Sequence, residues 1–160
     1  MPQEKLTFEQ FLQEVDAKDQ DFAKSLHDYL VENGCKPTFE EKKTSNLGSY
    51  KHGKTKKVVI NMLQKKQGLH VRIYGENIGG YGDFLNEMPD ELVKAVEKSG
   101  ICKRLVNNTC SPKCTGYDFM VRDKHFQQCR YNCFEFLVTD ESSDYIRAFV
   151  ENEMTQRLAA

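Results

Sequence analysis

The chain has 160 residues, 39% of them hydrophobic and 29% charged, with a net charge of −1 at pH 7. This is enough for one α+β domain over 1–160 with a single core, and the near-zero charge excludes a global pull toward nucleic acid or an anionic membrane. No apolar run approaches the ~20 residues of a membrane span, and the polar start MPQEKLTFEQ lacks a leader's apolar core, so the expected setting is the cytoplasm, where thiols stay reduced.

Thr7-Phe8-Glu9-Gln10 has the form of a capping box, and Phe8, Phe11, Leu12 and Val15 behind it share a helical face. A second helical pattern runs through Phe22, Leu26, Tyr29 and Leu30 and stops at Asn33-Gly34, a left-handed cap pair. His27 falls on the polar side of that helix. Residues 36 to 74 are β-like, with turns at SNLG, KHGK and KKQG. Tyr81, Phe84, Leu85 and Met88 suggest a short helix, and Pro89 starts another that ends near Gly100. A loop over 102–116 follows, then strands at 117–122 and 126–138 joined by a turn at 122–125. A final helix begins near Ser142 and frays at its Arg-Leu-Ala-Ala end. The order ααβββαα–loop–ββα predicts a largely antiparallel sheet with helices on one side, then a Cys-rich loop and hairpin and a last helix.

GSYKHGKT at 48–55 fits the phosphate-loop pattern letter for letter. That motif needs a buried strand before it and a helix after it. Upstream EEKKTSNL holds one apolar residue. Downstream, Val58, Ile60 and Met62 alternate, as do Leu69, Val71 and Ile73, which is hairpin patterning. The match is therefore read as coincidence, and nucleotide hydrolysis is disfavoured.

Five of the six cysteines lie between 102 and 133, with C-x-x-x-C spacing in CSPKC and CRYNC. Zinc needs its four ligands about 2.3 Å from the ion when they are thiolates. Pro112 favours a turn that brings Cys110 and Cys114 together. On one strand, Cys129 and Cys133 would be ~13 Å apart, so Cys129 is the single ligand from this segment unless it bends into a turn or helix. The expected set is Cys102, Cys110, Cys114 and Cys129, with Cys133 as substitute for Cys102. Four thiolates leave no open position, so the zinc would be structural, in a Cys-rich subregion over 102–138. The competing reading is plain buried or surface thiols, which suits Cys35 and Cys133.

Other chemistry is sparse. The four histidines are scattered, no nucleophile–base–acid set assembles from local spacing, and no catalytic residue is assigned. If Leu69, Val71 and Ile73 face the helices, then His70, Arg72 and Tyr74 project from the other sheet face, with Tyr50 beside them. The Gly-rich segment GENIGGYGDF closes that face, with Tyr81 as anchor, for an unknown small molecule or protein. Lysines 36, 42, 43, 51, 54, 56, 57, 65 and 66 outnumber the acids of the same stretch and offer a nucleic-acid face as the alternative. Lysines at hairpin turns equally protect edge strands.

The strings CKRL, CSPKCTGYDFMV, QCRYNCFEFLV, SYKHGKTKKVVI and HVRIYG resemble small uncharacterised proteins of anaerobic Gram-positive bacteria. The resemblance implies an intracellular bacterial setting and a shared C-terminal cysteine module, and carries over no catalytic residue.

Overall fold

In the computed structural model the described residues are 5–42, 46–99, 116–128 and 133–159. Strand β1 (Lys5–Leu6) leads into helix α1 (Phe8–Glu14). Thr7 caps α1 reciprocally with Gln10, the capping box expected from the sequence. Helix α2 (Gln20–Glu32) ends at Asn33, and Gly34 takes φ +92°, where a side chain would be strained.

Four strands follow, one more than expected: β2 (Cys35–Glu41), β3 (Asn46–His52), β4 (Val58–Lys65) and β5 (Gly68–Ile73). They form an antiparallel meander. With β1 on one edge and β8 (Glu135–Leu137) on the other, the sheet order is β1-β2-β3-β4-β5-β8. The link from β5 to β8 carries short 3-10 turns, helix α3 (Asp90–Lys98) and a separate hairpin of β6 (Tyr117–Val121) and β7 (Lys124–Gln128). Arg122 and Asp123 turn that hairpin with φ 46° and 71°, the conformation a tight two-residue loop requires. Helix α4 (Ser143–Ala159) closes the described fold.

Register explains which face is buried. Phe39, Gly48, Met62, Val71 and Phe136 are successive cross-strand partners, and all are buried. Phe11, Leu26 and Leu30 from α1 and α2 and Phe149 from α4 join the same core. Gly48 belongs to this row for a packing reason: a Cβ there would meet the Phe39 ring at 3.0 Å. The first glycine of the phosphate-loop string is thus a core position within β3. The string continues into a turn and then β4, so a hairpin stands where a strand–loop–helix would be needed.

Four sequence expectations are corrected. Residues 126–138 are not one strand, because β7 pairs only with β6 whereas β8 pairs with β5 in the main sheet. Tyr50 is not on the open face. It is partnered with Ile60 and buried on the helix side, where its hydroxyl lies 2.7 Å from His27 Nδ1. His27 itself faces inward, stacked on Phe8 at 3.7 Å between ring centroids. The end of α4 does not fray at Arg157, which is a buried residue of the fold.

Candidate functional site

The sheet face opposite the helices holds His70, Arg72 and Tyr74, as the alternation of β5 predicts. One row across it is Leu47, Leu63, His70 and Leu137, and the next is Ser49, Asn61, Arg72 and Glu135. Glu135 receives Arg72 Nη2 at 2.6 Å and Lys65 Nζ at 2.7 Å. Burial pushes the Glu135 carboxyl up, but these two cations outweigh it and hold the group below the usual carboxylate range. Arg72 is therefore engaged within the sheet. Tyr74 is buried, and its hydroxyl accepts from Asn61 Nδ2 at 3.1 Å. His70 is half-buried with Nδ1 3.1 Å from the Gly68 carbonyl oxygen. Burial lowers its pKa and keeps it neutral near pH 7. These residues form a satisfied polar cluster.

Tyr81 sits elsewhere. It is buried, and its hydroxyl donates to Glu153 Oε1 at 2.6 Å. Glu153 also accepts from the Asn77 backbone N–H at 3.0 Å, from Asn77 Nδ2 at 2.9 Å and from Arg157 Nε at 2.6 Å. Arg157 then donates to the carbonyl oxygens of Lys57, Val58 and Tyr74 at 3.0 to 3.1 Å. Both members of the pair are nearly inaccessible, Glu153 at 0% and Arg157 at 2%. This i, i+4 pair on α4 clamps the Gly-rich segment to the end of β4. The sequence carried a signal for it in the spacing ENEMTQR, but two charged residues near a chain end read as solvated.

Beside the clamp are two adjoining recesses that share Lys57 and Glu76. One, of about 210 Å³, is lined by Thr55, Lys57, Glu76, Asn77 and Arg157. The other, of about 430 Å³, is lined by Lys57, Gly75, Glu76, Ile78 and the start of β6 at Gly116, Tyr117 and Asp118. Gly75 permits the close approach here, since a Cβ would lie 2.5 Å from Ile78 Cγ2. The Gly-rich segment thus borders recesses whose linings include none of His70, Arg72 and Tyr74, and Tyr81 is anchored to Glu153 beside them.

The lysines divide between the two ends of the sheet. Lys36 and Lys51 face each other across β2 and β3, near the turn carrying Lys54, Lys56 and Lys57. Lys65 and Lys66 lie at the far end of β4, roughly 25 Å away at ~3.3 Å per residue, where Lys65 is committed to Glu135.

Of the expected zinc ligands, Cys102, Cys110, Cys114 and Cys129 lie outside the described residues. Among the described residues no cluster of metal-ligating side chains occurs. Cys133 packs in the core beside Phe134, and Cys35 lies against Met154 with sulfur atoms 3.9 Å apart. Burial pushes the Cys35 thiol up to about 11, which makes it inert. The described flanks of the Cys-rich segments do meet. Gln128 is the cross-strand partner of Tyr117, and its Nε2 donates to Ser99 Oγ at 3.0 Å and to the Val96 carbonyl oxygen at 2.7 Å.

Comparison of the chain with protein-family models, curated proteins and solved structures returns no match. Among the described residues no helix is long and apolar enough to cross a membrane.

Proposed function

We propose that this chain is a non-catalytic binding protein of the cytoplasm. Its site is the pair of recesses between the Gly-rich segment, the β3–β4 turn and β6, and it takes a small molecule or a partner's side chain. The single observation that carries this reading is the Glu153–Arg157 clamp: a buried ion pair with six further hydrogen bonds holds one wall of an open cavity. Preformed walls reduce the ordering cost of binding. The test is an NMR screen of the labelled protein against a small-metabolite library, with the amides of 75–78 and 116–118 as reporters. A library that leaves all of those amides unmoved contradicts the reading.

A structural zinc held by Cys102, Cys110, Cys114 and Cys129 belongs to the same proposal. The meeting of Ser99, Tyr117 and Gln128 supports it. Cys102 is three residues beyond Ser99, Cys114 three before Tyr117, and Cys129 next to Gln128. At no more than ~3.6 Å per residue, three residues span about 11 Å, a reach compatible with these thiols meeting at one ion. Cys133, the alternative fourth ligand, is favoured less because its side chain already belongs to the core. Elemental analysis with thiol titration tests the site. One zinc per chain is expected, with four thiols released by a chelator, while Cys35 stays protected by burial in either state. Cys114→Ser should lose the metal and Cys35→Ser should keep it; equal metal in both would contradict the assignment. The division of lysines between opposite sheet ends favours the small-ligand reading over a continuous nucleic-acid track.

A further inference from the structure

We infer that the smaller recess binds the anionic group, a phosphate or a carboxylate, of a small molecule, against Arg157, Lys57 and Thr55. This rests on the binding reading above and adds the chemistry of the ligand. A guanidinium presents five N–H donors. Four of them on Arg157 are used: one by Glu153 and three by the Lys57, Val58 and Tyr74 carbonyl oxygens. The fifth, on Nη1, meets no acceptor among the described residues, although the side chain is 98% buried. A buried donor normally has a partner. Arg157 lines the recess together with Thr55, Lys57, Glu76 and Asn77.

The surrounding charge agrees. The turn above the recess carries Lys54, Lys56 and Lys57, all exposed, and the opposed Lys36 and Lys51 lie at the same end of the sheet. Like charges directly opposed across a ladder are unfavourable unless a counterion meets them. The Thr55 hydroxyl, 3.2 Å from His52 Nδ1, stands at the mouth as a further donor or acceptor. The volume of about 210 Å³ is below the ~300–1,000 Å³ of pockets that enclose drug-sized ligands, so it suits a head group, with the neighbouring recess free for the remainder of the molecule.

The test is a titration of the labelled full chain at fixed ionic strength with inorganic phosphate, with acetate and with putrescine as a cationic probe. Saturable shifts confined to the amides of 55–57 and 76–77 are expected with phosphate or acetate, and their ranking identifies which group the site prefers. Lys57→Ala should weaken that binding about tenfold, the loss of one charge-assisted contact, whereas Lys66→Ala at the far end of the sheet should leave it unchanged. Both positions are exposed, so both variants should melt with the parent. Equal weakening by the two variants would mean diffuse attraction and overturn the site. Putrescine moving these amides while the anions do not would overturn the anion assignment and leave the binding protein standing. Silence of these amides to all three probes overturns the anion site, and the metabolite screen then decides the broader reading separately.

Discussion

Arg157→Met is the sharpest perturbation of this fold. Methionine keeps the length and apolar stem of the side chain while removing its charge and all four of its hydrogen bonds. Glu153 is then left with 0% exposure and no cation, held only by Asn77 and Tyr81. Removing one partner of a buried pair costs about 3–5 kcal/mol, chiefly because the other charge stays buried. For a chain of 160 residues, unfolding entropy of ~2.1 cal/mol/K per residue makes one degree worth roughly 0.3 kcal/mol. The melting temperature should therefore fall by about 10–15 °C. Urea unfolding followed by circular dichroism measures the loss directly. Adding Glu153→Gln should restore part of it, since the stranded charge goes while acceptor and donor remain. A single variant within about 1 kcal/mol of the parent, or a double variant whose losses simply add, would refute the claim that this pair organises the Gly-rich segment. Amide exchange at Asn77, whose N–H is bonded to Glu153, should accelerate in the single variant before the sheet is affected.

Other perturbations have equally definite outcomes. Gly75→Ala should destabilise by about 1–3 kcal/mol, the usual cost of overpacking, because its Cβ would overlap Ile78; an unchanged urea midpoint would show that the segment yields. Asp123→Gly should stabilise by up to about 1 kcal/mol by relieving a positive φ of 71°, read from the same titration. Burial lowers the pKa of His27, of His52 and of His70 below the ordinary 6.5. The unfolded chain then binds more protons, so stability present above pH 6.5 is lost as pH falls toward the folded values, by at most about 1.4 kcal/mol per pH unit for each group. His27→Phe, which preserves the stack on Phe8, should flatten this slope; an unaltered pH profile would remove His27 from the account. Native alkylation at pH 7.5 should spare Cys35, whose thiol is raised to about 11; rapid labelling there would show that the core opens.

Local pattern carried most of the secondary structure. The Thr7–Gln10 box, the Asn33-Gly34 stop and the alternation of 58–63 and 69–73 each involve residues within a few positions of one another, and each formed as the pattern predicts; the turn expected over 122–125 formed as the shorter Arg122-Asp123, with Lys124 and His125 already in β7. The hairpin at 48–63 was legible for the same reason, despite its phosphate-loop lettering. The division of 126–138 was not, because Phe126 and Phe136 share one alternation while pairing with different sheets. Tyr50 was misplaced because an aromatic in a strand can face either side, and the choice was made by His27, 23 residues away.

The candidate site divides along the same line. Sequence alone determined the α+β class, the helix caps, the face that holds His70 and Arg72, and the glycines that let the 75–82 segment approach closely. Only tertiary structure decided that Arg72 is spent on Glu135, that Tyr81 turns inward to Glu153, and that Arg157 lies within 3.1 Å of three carbonyl oxygens about 100 and 83 residues earlier. The reason is physical: periodicity records which side of an element is apolar, whereas the partner of a buried charge is set by which distant backbone groups lack one, and that is known only once the chain has closed on itself.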